Sequence, residues 1–256
     1  MKRVTFIIGM AAIALLFCTT NGNAQSRIVR RATPPTRGNN RVVIIERDRH
    51  IDVRDLETAP RIIGHETVRA FEVEDYDVNR ISMAEMIFRT GGAVTAAQAT
   101  AIAQAFDYDS NRLKFLKMAY LNCVDRHNYY FTLKTFDYSS NLNSLADYVY
   151  KMESENPEYR IYFRASNEYM KEILGVFKEA AYDSSRIKIG RMILYGGEFT
   201  AKQIAEMAKT FDYDSNRLKF LLSAYNHCID GHNYLIAANT LEYSSNRKKL
   251  MDNIAR

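Results

Sequence analysis

Cys123, Asp125 and His127 lie within five residues, and the same trio returns as Cys228, Asp230 and His232. A thiol, a carboxylate and an imidazole this close together can serve two chemistries. Zinc is held by these ligand types, and a thiol beside a histidine becomes a nucleophile once it loses its proton. Either use needs a further partner, and neither segment supplies one that a structural role does not explain equally well. Each cysteine closes an apolar series, Leu113, Leu116 and Ala119 or Leu218, Leu221 and Ala224, which reads as a buried free thiol used as a small hydrophobe. Asp125 and Asp230 stand where a long helix must break and read as caps of the next helix, with the histidines packed in the turn. No catalytic, metal-binding or cofactor-binding residue is therefore assigned, and no cofactor is expected. A hydrolase or a metal- or thiol-dependent enzyme using these six residues is the second reading.

A further pair of segments, Asp107-x-Asp109-x-Asn111 and Asp212-x-Asp214-x-Asn216, opens like a calcium loop. Such a loop needs glycine at its sixth position and a glutamate at its twelfth. Here the sixth residues are Arg112 and Arg217, and the twelfth are Met118 and Ser223, so calcium is set aside. The arginines suit pairing with neighbouring acids, or capping the C-terminus of a preceding helix where their charge complements the dipole.

These constellations recur because the chain is duplicated. Phe106 to Ala146 returns 105 residues later as Phe211 to Met251 with 24 of 41 positions identical, through loops as well as apolar stripes. A shorter period lies inside the duplication. Related motifs, Asp-Tyr-Asp-x-Asn-Arg in full at 75–80, 107–112 and 212–217 and in altered form at the other three, place tyrosines at 76, 108 and 138, then at 182, 213 and 243, about 31 residues apart within each copy. Each motif is followed by apolar residues at three and four spacing, the signature of an amphipathic helix. Asp109, Ser110, Asp214 and Ser215 are the cap candidates, able to accept the first unpaired N–H groups. Thr95 with Gln98 and Thr200 with Gln203 form capping boxes that open a second helix, behind the paired glycines Gly91-Gly92 and Gly196-Gly197.

The expected fold class is all-α, with two tandem homologous helical domains of about five short helices each. Helices are predicted near 78–89, 95–105, 110–124, 128–136 and 140–153, then 167–181, 184–194, 200–210, 215–229, 233–241 and 245–254. The domains are placed at 71–153 and 164–254, joined through the polar, proline-containing stretch Glu153 to Glu158. Without tryptophan, Phe and Tyr must supply the large aromatic surface. Recurrence of a tyrosine at every subunit favours rings packed in the core over an aromatic ligand groove.

The N-terminal quarter has a different character. Met1 to Ala24 combines Lys2 and Arg3, the apolar run Val4 to Phe17 and a small or polar exit, which reads as a secretory signal peptide with the mature chain starting at Gln25. Lipid attachment at Cys18 is the rival, disfavoured by the bulky Phe17 before it. The apolar run is too short to cross a bilayer and no second one follows, so the mature chain has no transmembrane span. Residues 25–49 read as a basic flexible linker. Arg27, Arg30, Arg31, Arg37 and Arg41 lead its seven arginines against two acids, whereas residues 50–256 carry 26 basic and 28 acidic side chains. The net charge of +5 thus belongs to a tail. Segment 50–70 reads as extended or irregular, with a short strand pair as one option.

The stretches FDYDSNRLKFLKMAY and FDYDSNRLKFLLSAY, followed by CVDRHNYY and CIDGHNYL and then FDYSSN and LEYSSN, resemble the bacterial domain-of-unknown-function family numbered 4476. The resemblance covers residues 71–153 and 164–254. It implies exported helical proteins and transfers no catalytic residue. The family's phrase of a serine or threonine before a glutamine falls on Thr95 with Gln98 and Thr200 with Gln203, and the departures, Arg126 against Gly231 and Asn141-Leu142 against Asn246-Arg247, are expected on turn or helix surfaces.

The function expected is a non-enzymatic protein-binding or structural module of the envelope, exported to the periplasm, the outer envelope or the medium. Its partner would be an envelope protein or, through the basic tail, an anionic envelope surface. Export puts nucleic acid last among the partners.

Overall fold

The structure, a computed structural model, describes residues 60–156, 158 and 161–255. The expected signal peptide, Cys18, the arginine-rich linker and residues 50–59 lie outside the described residues.

Helices dominate, as the 3.6-residue patterning requires. The first copy contains α1 (His65–Val73), α2 (Asp77–Arg89), α3 (Ala96–Gln104), α4 (Asp109–Leu121), a 3-10 segment (Arg126–Thr135) and α5 (Ser139–Glu155). The second contains α6 (Asn167–Glu179), α7 (Asp183–Leu194), α8 (Ala201–Ala208), α9 (Asp214–Ala224), α10 (Leu235–Ala238) and α11 (Ser244–Ile254). Consecutive members pair into helical hairpins that stack in two layers. One layer runs α2, α4, α5, α7, α9, α11, each packed on the next; the other runs α1, α3, the 3-10 segment, α6, α8, α10. Within the first layer Lys114 meets Glu85, Lys117 meets Ser144 and Lys188 meets Asp147, and bonds between helix starts, from the Tyr108 N–H to Asp77 and from the Tyr213 N–H to Asp183, show neighbouring helices to be parallel. Such a stack is a short solenoid, in which each unit depends on its neighbours for a complete core.

Two of the expected boundaries are corrected. Residues 65–70 are helical: α1 begins at His65 behind Gly64, inside the segment read as irregular. Its stripe consists only of Val68 and Phe71, too short to register as periodicity. The segment 128–136 is a 3-10 helix starting at Arg126, whose buried Tyr129, Tyr130, Thr132 and Leu133 fit either helix type by spacing alone.

The core repeats with the sequence. Phe115 is fully buried and meets Phe71 and Phe106 at 6.1 and 5.3 Å between ring centres. Phe220 meets Phe177 and Phe211 at 6.0 and 5.1 Å. Leu116 and Leu221 are fully buried beside them, and Leu113 and Leu218 pack from the core's margin. Tyr129 donates its hydroxyl to the Leu116 carbonyl and Tyr234 to the Leu221 carbonyl, each at 2.6 Å.

The edge at the C-terminal ends of the first-layer helices is joined by very short parallel strands. β1 (Arg61–Ile62) pairs with β2 (Gly92–Ala93), and β3 (Phe163–Arg164) pairs with β4 (Gly197–Glu198). Single bridges, Val94 to Cys123 and Phe199 to Cys228, extend each pair. Gly91 makes the turn into β2 at φ +83°, a conformation that favours glycine. The second copy is one residue shorter here, and its Gly196-Gly197 turn has no left-handed glycine, unlike the expectation. A Cβ on Gly92 would come within 2.5 Å of Ile87 Cγ2, so this strand also needs glycine for close approach.

Candidate functional site

The opposite edge of the stack is built by the Asp-Tyr-Asp-x-Asn-Arg motifs. In all six the tyrosine precedes the first helical residue, which is an aspartate in four, Asp77, Asp109, Asp183 and Asp214, and a serine in the other two. Asp109 and Asp214 do not cap their own helices, a correction to the sequence reading. Their carboxylates reach forward to the next motif: Asp109 accepts from the N–H groups of Asp137 and Tyr138 at 3.1 and 2.9 Å and from Asn141 Nδ2 at 3.3 Å. Asp77 serves Asp107, Tyr108 and Asn111, Asp183 serves Asp212, Tyr213 and Asn216, and Asp214 serves Glu242, Tyr243 and Asn246. Ser110 and Ser215, the other expected caps, are exposed without a capping bond. The first motif has no predecessor, and Glu74 accepts from Tyr76 N–H and Asn79 in its place.

The arginines complete the joint from inside. Arg112 is 8% exposed and donates to Asp109 at 2.7 Å, to the Ala103 and Phe106 carbonyls at the end of α3, and to the Thr135 carbonyl. Arg80, Arg186 and Arg217 hold the ends of α1, α6 and α8 in the same way. Each arginine therefore fastens a helix C-terminus to the following hairpin. Burial works against the charged forms of Asp77, Asp183 and Asp214. The hydrogen bonds outweigh it and leave these carboxyls below the ordinary value. At the boundary between copies Ser139 and Leu142 replace the aspartate and arginine, and α5 joins α7 by side-chain packing.

The Cys-Asp-His segments are committed elsewhere. Asp125 Oδ1 accepts the Ala96 N–H at 2.6 Å, and Asp230 Oδ1 accepts that of Ala201 at 2.6 Å. They thus reach back past α4 and α9 to cap the starts of α3 and α8, not the helix after them. Both cysteines donate to these carboxylates at 3.3 Å. Burial first, then the Asp125 carboxylate, pushes the Cys123 thiol up to about 12; burial pushes Cys228 up to about 11. The His127 ring packs 5.7 Å from that of Phe163, and His232 is exposed. Among the described residues no three His, Cys, Asp or Glu side chains gather as a metal site. Thr95 and Thr200 accept from the N–H groups of Gln98 and Gln203, whose side chains return the bond, and both glutamines also donate to carbonyls in the strand region, Ile63 and Ala165.

Sequence reasoning missed the seam between copies. There Tyr169 donates to the His127 carbonyl at 2.8 Å, Tyr130 meets Tyr169 edge-on, and buried Glu153 accepts the Tyr120 hydroxyl at 2.8 Å. The cavity left among Arg126, His127, Glu153 and Phe163 is about 20 Å³, room for a single water, and His127 Nδ1 faces no partner. A pocket of that size holds no substrate. The residues are far apart in sequence, and only the buried charge of Glu153 on an otherwise apolar helix face hints at it.

The motif tyrosines are the larger correction. Tyr76, Tyr108, Tyr138, Tyr182, Tyr213 and Tyr243 are 61–69% exposed, and none belongs to the core. Among the described residues the buried tyrosines are Tyr120, Tyr129, Tyr130 and Tyr234.

The family model described as a domain of unknown function (DUF4476) matches residues 64–149 and 164–254. No curated protein and no solved structure matches the chain.

Proposed function

The chain belongs to the DUF4476 family and carries its domain twice, and from that premise we propose an exported, non-enzymatic module of the bacterial envelope that binds a protein partner. What supports the reading is the disposition of the polar groups. The carboxylates that looked chemical are used to accept backbone N–H groups, and the thiols are held in their protonated form. The groups left facing water in a regular series are aromatic rings on a stacked scaffold, a surface suited to contact. Export rests on the basic start, apolar run and small exit of Met1 to Ala24. The basic tail adds weak, salt-screened attraction to anionic envelope surfaces.

The test is a pull-down from bacterial envelope extract with the mature chain and with a variant carrying serine at Arg27, Arg30, Arg31, Arg37 and Arg41, at low and high salt. A salt-tolerant partner retained by both forms is expected, with a salt-sensitive fraction lost in the variant. Stoichiometric zinc, fast selective alkylation of Cys123 and Cys228, or turnover of a small substrate would reverse the ranking in favour of an enzyme. Intact mass decides export: a chain starting at Gln25 agrees, and an unprocessed product refutes it.

A further inference from the structure

The residue before the first turn of a helix is normally Ser, Thr, Asp or Asn, whose side chain can cap the free N–H groups. In this chain that station is tyrosine at α2, α4, α5, α7, α9 and α11, and none of the six gives its helix a side-chain cap. The fold gains no hydrogen bond from a ring there. A large aromatic side chain nevertheless stands in water at six of six equivalent positions. Repetition within one chain makes this a property of the edge, and Tyr is among the residues that anchor protein interfaces.

The chemistry of the edge narrows the partner. An exposed acid precedes five of the six rings, Asp75, Asp107, Asp137, Asp212 and Glu242. Four of these approach a buried arginine at 2.6–3.8 Å while their side chains stay 65–76% exposed. The inner aspartate and arginine of a motif offset each other, so the outer acids supply the edge's accessible charge. Ring plus carboxylate is the combination that receives a guanidinium, which lies flat on the ring and bonds the carboxylate with its donor fork.

Spacing supplies the last constraint. Within each copy the aspartate of one motif accepts the N–H of the next tyrosine, and at the boundary α5 packs directly on α7, so successive stations are one helix apart, and packed helices stand about 8–10 Å apart. A polyproline II chain turns once in three residues at about 3.1 Å each, so one face repeats at about 9.3 Å. We propose that this edge binds an extended polypeptide carrying arginine at every third position, one arginine to each tyrosine, with an acid beside the ring at five of the six stations. The proposal rests on the protein-binding reading above and names the partner's chemistry.

The test uses the full mature chain and two fluorescent synthetic peptides, six repeats of Arg-Pro-Pro and an isomer with the six arginines in one block. The periodic peptide is expected to bind at least tenfold tighter than the block. Replacing Tyr108 and Tyr213 by serine, a favoured residue at that station, should weaken it at least tenfold with the unfolding curve preserved. Equal affinity for the two peptides, binding indifferent to the tyrosines, or binding of neither peptide overturns the proposal. So does tyrosine-dependent binding of a neutral hexasaccharide with no peptide binding, which makes the edge a glycan platform. If the tyrosine variant still retains the salt-tolerant envelope protein, the edge proposal fails and the binding-module reading stands. If the unaltered chain retains no protein either, both fail.

Discussion

Replacing Asp183 by alanine removes the acceptor that joins the start of α7 to the start of α9. Asp183 is 6% exposed, and its carboxylate takes Arg186 Nη1 at 2.7 Å, the Asp212 and Tyr213 N–H groups at 3.0 and 2.9 Å, and Asn216 Nδ2 at 3.1 Å. Breaking a buried ion pair by deleting one member costs about 3–5 kcal/mol, because the surviving charge is left uncompensated. Arg186 retains Asp212 at 2.6 Å and the Phe177 carbonyl at 3.1 Å, and the stranded N–H groups are only partly buried. The expected loss is therefore at the lower end, about 3 kcal/mol. Deleting both charges, with Arg186→Met added, should cost about 1–3 kcal/mol less than the sum of the two single losses, since neither orphan charge remains. Urea unfolding of the full chain, followed by far-ultraviolet circular dichroism, measures all three variants. A single-variant loss under about 1 kcal/mol, a surface-like value, or an additive double variant would refute the joint as described.

Leu116→Ala should cost about 2–5 kcal/mol in the same assay, since the side chain is fully buried against the repeated aromatic core; a loss under 1 kcal/mol contradicts the packing. Asp77, Asp183 and Asp214 have folded pKa values below the ordinary one, so their contribution is complete above the unfolded value of about 3.9 and is lost as pH falls through the folded values. The urea midpoint should decline below about pH 4, and less steeply in Asp183→Asn; an equal slope in the variant speaks against the linkage. With Cys123 near 12, only about one thiol in 10⁴ is ionised at pH 8, so alkylation of the folded chain should be slow and should accelerate on unfolding. Fast labelling of the native protein would overturn its assigned role.

Helix starts were readable in this sequence because the chain marks them locally. The Asp-Tyr-Asp motif and the Thr-x-x-Gln box each stand at a real helix boundary, and the arginines do hold helix ends as their charge and position suggest. What the spacing hides is where a side chain reaches. An aspartate at the first helical position looks like a cap, but its acceptors are spent 28–31 residues downstream, a distance set only by the stacking of hairpins. Asp125 misleads in the opposite direction, reaching back 29 residues to Ala96. The tyrosines were misread for a different reason. Regular recurrence is evidence of a shared environment, and it does not say whether that environment is core or water. The missing clue was the cap position itself, where an aromatic residue has no structural advantage. Short α1 escaped notice because two buried residues cannot establish a period.

Tyrosine nitration with a small reagent, mapped by mass spectrometry on the native full chain, interrogates the edge directly, because the chain has 17 tyrosines and no tryptophan. Tyr76, Tyr108, Tyr138, Tyr182, Tyr213 and Tyr243 should be modified first and at similar rates, alongside the equally exposed Tyr162, with Tyr120, Tyr129, Tyr130 and Tyr234 protected until the protein unfolds. Early modification of Tyr120 or Tyr129, or protection of the motif tyrosines in the free chain, would contradict a stack that presents these six rings to a partner.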